Sequence, residues 1–386
     1  MKSHSHGVAL AALIALAACA STSDRTSADA TGADPSRGSP ADASAPSAPT
    51  TTDDAGPNAS GGSKCGPCPA GASCKTANGL PVCRNDKSGV PIFSHVFVVV
   101  MENISLSTVD AADATATPNI KSIQTRAASA SAYHGVAHPS LPNYIAMTSG
   151  DTQGIACDCM AAPGTACTSS CSALSHACMC TRPVTNVADQ IEAAHKTWKA
   201  YGEGMGAPCN VVDDDLSHYA VRHVPFLYYE DIQKDAARCK AHVVDLAGFD
   251  VSSAAPHFSF VAPNLDDDGH DPTNPLSHAT NIANADTFIG PFVKKITDGD
   301  AYKSGGLVVV AWDEDDNSGG LTNSNDPIPL FVMSIYAKTK YTSKAVADHY
   351  SLLATIEDGL GLPRLGKAGQ TRAGIADTLS DFFPSE

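Results

Sequence analysis

Apolar residues are unevenly spread along this chain. From about residue 92 they gather into short unbroken runs of strand length: HVFVVVM (95–101), HFSFVAP (257–263), GLVVVAW (306–312) and LFVMSIY (330–336). Such runs, rich in β-branched residues and without polar alternation, predict strands buried on both faces. Between them lie VADQIEAAHKTW (187–198) and ANADTFIGPFVKKITDG (283–299), which read as helices. A further apolar helical run follows Ser140. The alternation predicts an α/β domain over residues 92–386, with a mostly parallel central sheet flanked by helices.

The first 91 residues read differently. MKSHSHGVALAALIALAAC (1–19) has one lysine, a short apolar stretch and small residues, the make-up of a signal peptide too short to span a membrane stably. It ends in Leu-Ala-Ala-Cys, which resembles the bacterial lipobox; Cys19 is then the lipidated N-terminus, the alternative being cleavage without lipidation. The expected product is exported and lipid-anchored at the cell envelope, on the outer membrane or the cell surface. Residues 20–63 are almost wholly Ala, Ser, Thr, Pro, Asp and Gly with no aromatic residue, a linker that cannot bury enough to fold.

The chain has 13 cysteines; setting Cys19 aside leaves an even number, so disulfides are the default in an exported protein. Cys65, Cys68, Cys74 and Cys83 fill a small module (64–86) read as a two-disulfide knot acting as a spacer. Its Cys-x-x-Cys spacing also suits zinc, and a surface-binding role is the other option. Six more cysteines crowd residues 157–180 in a loop expected to be stapled by disulfides at the mouth of a site, the alternative being metal storage. Cys209 and Cys239 are left to pair with each other.

Three of the predicted strands end in polar residues: Glu102-Asn103, Asn264 with DDDGHD, and Asp313-Glu314. Parallel sheets bind ligands at the carboxyl ends of their strands. Carboxylate and amide oxygens gathered there suit a divalent cation. The formal charge of -16 fits cation binding or simply a soluble acidic surface, and it argues against nucleic acid as a partner. Ser140, in HPSLPNYIAMTSG, lies at an expected helix start, where backbone N–H groups favour an oxyanion. Metal coordination can turn such a hydroxyl into a nucleophile. LDDDGHD supplies Asp266, His270 and Asp271; DHYSLLATIED adds His349 and RHVPFLYY adds His223, for which structural and functional roles both stay open.

Seven segments occur in order: Glu102-Asn103 after a strand, PSLPNYIAMTSGDTQGI, TWKAYGEGM, RHVPFLYY, FSFVAPNLDDDGHD, VVVAWDED and HYSLLATIEDGLGLP. Over residues 93–384 this resembles the phosphoesterase family of bacterial phospholipases C and related acid phosphatases, which share an alkaline-phosphatase-like core. The resemblance implies that Glu102, Asn103, Asp313 and Glu314 hold the metal and that Ser140 attacks phosphorus. It also implies that His223 and His270 hydrogen-bond the phosphoryl group or assist the leaving group. SLPN is similar to the TFPN nucleophile segment of nucleotide pyrophosphatases/phosphodiesterases. Glu314 stands where the acid phosphatases commonly have aspartate. The Asp266…His270 spacing, with the late His349, is reminiscent of the second metal site of two-zinc relatives; Asp266, Asp271 and His349 are the candidate second-metal or phosphate contacts, so one metal or two are open. The expected function is metal-dependent hydrolysis of a phosphomonoester, acid-phosphatase-like. The alternatives are a phospholipase C or other phosphodiesterase, and a catalytically dead cell-surface binding protein.

Overall fold

The computed structural model describes residues 65–162, 179–270, 278–316 and 325–385. The signal peptide with Cys19, the linker, the middle of the six-cysteine loop and Asp271 lie outside the described residues. Among those described, no helix is long and apolar enough to cross a membrane.

Among the described residues, twelve strands occur in chain order: β1 (Ala72–Ala77), β2 (Leu80–Asn85), β3 (Val96–Met101), β4 (Ala128–Ala130), β5 (Tyr133–His134), β6 (Trp198–Gly202), β7 (Val243–Asp245), β8 (Phe258–Ala262), β9 (Leu307–Trp312), β10 (Leu330–Ser334), β11 (Tyr341–Ser343) and β12 (Ala347–Asp348). Eight form the central sheet in the order β11-β4-β10-β9-β3-β8-β6-β7. The block β9-β3-β8-β6-β7 is parallel throughout, whereas β10 runs antiparallel to both of its neighbours. Every residue of β3 and β9 is buried, as their unbroken apolar runs require. The four expected strands are present, with ends shifted by a residue or two.

The expected helix at 283–299 runs from His278 to Asp298 and takes in Pro291. The one expected at 187–198 stops at Ala193. His195 adopts a left-handed φ of 55°, the chain turns, and Trp198, which looked like the last apolar position of a helix, opens β6 instead. Two helices packed on each other, Ser140–Ser149 and His349–Leu360, are buried along their whole length. With no exposed face they show little amphipathic periodicity.

The cysteine module is a β1–β2 hairpin closed by Cys65–Cys74 and Cys68–Cys83. Those bonds consume the thiols a zinc site would need. The module belongs to the same unit as the domain, Ser60–Glu386. Asn78 Nδ2 donates to the carbonyls of Ile335 (2.9 Å) and Ala337 (2.8 Å), and Arg84 Nη1 to that of Pro384 (2.7 Å). Ile335 follows the end of β10, beside the start of β9, so the module sits at the edge where the parallel strands begin. Cys209 and Cys239 are bonded to each other.

Candidate active site

Met101 and Trp312 are register partners at the ends of β3 and β9. The residues just beyond, Glu102-Asn103 and Asp313-Glu314, therefore emerge side by side. Asn103 turns the chain with φ of 41°, a left-handed conformation that asparagine tolerates better than most residues. Its N–H donates to Asp313 Oδ1 at 3.0 Å, which fixes the two strand ends relative to each other.

Ser140 is the first residue of its helix, and its hydroxyl points into this group. Oγ donates to Glu102 Oε2 at 2.9 Å and lies 3.4 Å from Glu314 Oε1 and 3.5 Å from Asn103 Oδ1. The elbow leading to it is tied from inside the helix. Asn143 Oδ1 accepts the N–H groups of Val136 (2.9 Å) and Ala137 (3.0 Å), and Nδ2 donates to the Ala137 carbonyl (2.8 Å). At Gly135 the elbow passes so close to β9 that an added Cβ would lie 2.9 Å from the Asp313 carbonyl oxygen.

The donor set fits a divalent cation. The inward atom of the Asn103 amide lies 3.2 Å from Asp313 Oδ1, Glu314 Oε1 and Glu102 Oε2 alike. With the amide nitrogen inward it donates to all three carboxylates, as suits the metal-free site; with the oxygen inward, four oxygens face one another, an arrangement a cation resolves. Asp313 Oδ2 is buried with no hydrogen-bond partner among the described residues, and a buried carboxylate oxygen is rarely left so. Charge tells the same story. Burial, with Glu102 and Glu314 alongside, holds the Asp313 carboxyl well above its usual range. Burial likewise pushes Glu314 up to about 7, against the pull of His138. Burial pushes Glu102 upward too, but adjacent His223, aided by Arg222 and His270, holds it at about 2. Three carboxylates cannot all be charged here unless a positive ion joins them.

The expected histidines divide. His270 is exposed at the open side, with Nδ1 3.1 Å from Asn103 Nδ2. His223 is 1% exposed, lies behind Glu102 (Nε2 to Oε1, 3.0 Å) and stacks on Tyr144. In that position the ring braces Glu102. His349 is no ligand as placed. Its Nε2 contacts the Asp313 carbonyl oxygen at 2.5 Å and its Nδ1 the Tyr133 hydroxyl at 2.7 Å. A carbonyl only accepts, so Nε2 carries the proton and Nδ1 accepts from tyrosine. Burial keeps this ring neutral, with its pKa lowered to about 4. Asp266 pairs with part-exposed His218 at 2.7 Å. Asp268, two residues on, is the acid that approaches His223, at 3.8 Å.

Three contributors were not singled out from the sequence. Tyr144 donates to Glu102 Oε1 at 2.9 Å; its position one helical turn after Ser140 was the available signal. His138 lies between Glu314 Oε2 (2.7 Å) and Asp315 Oδ2 (3.4 Å). Asp158 Oδ1 accepts the backbone N–H of Leu141 at 2.9 Å. One N–H expected to await an oxyanion at this helix start is therefore engaged.

The Phosphoesterase family model matches residues 111–363, a span that holds Ser140, His223, His270, Asp313, Glu314 and His349. The chain belongs to the Phosphoesterase family. It is a hydrolase acting on phosphate esters. Among curated relatives it is 26% identical over 284 residues to a phosphatidylinositol-3-phosphatase of Mycobacterium tuberculosis, covering 73% of this chain and 81% of that one. It is 25% identical to an acid phosphatase of Aspergillus fumigatus (71% of this chain, 56% of that one). It is also 25% identical to a phosphate-repressible acid phosphatase of Penicillium chrysogenum (69% and 60%). The chain thus spans little more than half the length of these fungal relatives. Similar solved structures include a protein in the alkaline phosphatase superfamily from Vibrio parahaemolyticus, at TM-score 0.48 and 10% identity over 74% of this chain and 72% of that one. Murine ectonucleotide pyrophosphatase/phosphodiesterase 5 aligns at TM-score 0.47 and 11% identity, over 75% and 100%. Glu102 and Asn103 precede the span matched by the family model, so their place in the site rests on the geometry alone.

Proposed function

We propose that this phosphoesterase is a metal-dependent phosphomonoesterase of the acid-phosphatase type in which Ser140 attacks phosphorus. The observation that supports this most is the convergence of the Ser140 hydroxyl with Glu102, Asn103, Asp313 and Glu314 around one point at the carboxyl ends of β3 and β9. A divalent cation held by those four residues would lower the pKa of the hydroxyl and offset charge on the phosphoryl oxygens. Ser140 then forms a bond to phosphorus while the ester oxygen leaves, and water later opens the phosphoserine. His270 is the described side chain placed to hydrogen-bond the phosphoryl group or the leaving oxygen through an Nε2–H. With the Asn103 oxygen turned to the cation, its Nδ2 donates to His270 Nδ1 (3.1 Å), which leaves the proton of the neutral ring on Nε2. The arrangement of the described donors supports a single cation.

The relatives named above are a phosphatidylinositol-3-phosphatase and acid phosphatases, which favours a monoester over a diester. Purified enzyme is expected to release p-nitrophenol from p-nitrophenyl phosphate far faster than from its phosphocholine ester or from bis(p-nitrophenyl) phosphate. The opposite order would make it a phosphodiesterase.

We further infer an exported enzyme tethered through a lipid on Cys19. Disulfides in the module and between Cys209 and Cys239 agree with an oxidising compartment. Cys19→Ser is expected to move the protein from washed membranes to the soluble fraction; retention in membranes would count against the anchor.

A further inference from the structure

The loop that begins at Cys157 does more than line a rim. Its second residue, Asp158, reaches the first turn of the helix that Ser140 opens, where Oδ1 accepts the Leu141 N–H at 2.9 Å. This helix has no side-chain cap of its own: its N-cap residue is Pro139, and Pro142 stands in its first turn without an N–H. Asp158 supplies from a distant loop what the local sequence lacks. Its backbone is held on both sides. Cys157 and Cys159 are each disulfide-bonded and almost fully buried in the hydrophobic core. The Tyr228 hydroxyl also donates to the Cys159 carbonyl.

Ser140 is therefore clamped from two directions. Asn143 ties the elbow before it from within the helix, and Asp158 pins the residue after it from outside. A displacement of a fraction of an ångström would spoil the 2.9 Å contact of Oγ with Glu102. We propose that Asp158 is a positioning residue for the nucleophile, and that the disulfides at Cys157 and Cys159 serve catalysis by holding its carboxylate oxygen on the Leu141 N–H. The proposal rests on the reading of Ser140 as nucleophile.

The test compares Asp158→Ala, Asp158→Asn and Ser140→Ala in the full chain, using p-nitrophenyl phosphate and measuring bound metal and melting temperature for each. Asp158→Ala is expected to lower kcat about 10–100-fold, since misplacement near an ångström costs on the order of a hundredfold. Its KM should move by less than about threefold on the same ground, with metal content unchanged, because Asp158 is no ligand. Asp158→Asn keeps an oxygen acceptor for the N–H and is expected to recover most of the loss. Turnover of Asp158→Ala within twofold of the parent would overturn the proposal. So would an Asn variant as slow as the Ala variant, which would show that charge matters and the hydrogen bond does not. Replacing Cys157 and Cys159 by serine should reproduce the kcat loss in the parent and add little in the Asp158→Ala background; additive losses would mean the disulfides act by another route. Ser140→Ala separates the two claims. If it retains turnover, the nucleophile reading fails whatever Asp158 does.

Discussion

Asp313 meets two demands at once. Its Oδ1 accepts the Asn103 N–H and so locks β3 to β9, while its Oδ2 is left buried and unbonded among the described residues. A purely structural aspartate would satisfy both oxygens; the spare oxygen is what a cation would take. Gly135 shows the same tightness from the other side. A methyl group there would meet the Asp313 carbonyl at 2.9 Å, and neither backbone can retreat cheaply, because that carbonyl is also held by His349. Gly135→Ala is therefore expected to shift the elbow and lower kcat by about 10–100-fold in a protein that still folds. Parent-like turnover would show that the elbow has slack. At this scale the sequence was legible where chemistry demands a residue type next to a strand end: Glu102, Asn103, Ser140, Asp313 and Glu314 meet as expected. It was less legible for His223 and His349. Nothing in their local sequence distinguishes a ring that faces substrate from one that braces a carboxylate or a carbonyl. Asp158 was hidden for a related reason, since its partner is a backbone N–H in another element.

Elements follow the hydrophobic pattern where burial is two-sided. The four apolar runs became strands because each fills the middle of the sheet, and the carboxyl ends of β3 and β9 carry the site. The reading failed where two elements adjoin: the helix begun at Val187 and the strand opened by Trp198 share one stretch of apolar spacing, and only the left-handed turn at His195 separates them. The cysteine module was read as a spacer. In the structure it is fastened to the domain through Asn78 and Arg84, at the edge away from the strand ends that carry the site. Deleting residues 65–86 is therefore expected to lower stability by about 2–4 kcal/mol, from three hydrogen bonds at roughly 1 kcal/mol each plus lost packing. kcat should stay within about twofold, as surface changes remote from a site usually allow. Thermal unfolding and kinetics on the deleted protein decide it, and a large loss of kcat would place the module in the catalytic apparatus.

At the scale of the whole molecule, the proposed metal dependence is expected to follow acidity. In the metal-free protein burial, with Glu102 and Glu314 alongside, raises the Asp313 carboxyl well above its usual range, and burial raises Glu314 to about 7, so a cation must compete with protons to bind. Apparent metal affinity is expected to weaken as pH falls through about 7, by roughly tenfold per pH unit for each proton displaced. Titration of chelated enzyme with a divalent cation between about pH 5 and 8 measures this; a flat profile would show that the carboxylates are already ionised. The most direct test of the whole account concerns one oxygen atom. If Ser140 attacks phosphorus, Ser140→Ala should bind metal as the parent does and lose on the order of a thousandfold or more in kcat on p-nitrophenyl phosphate, as removal of a nucleophile from an interdependent site does. Near-normal turnover by a metal-loaded Ser140→Ala enzyme would mean that water attacks phosphorus directly, and the central claim would be wrong.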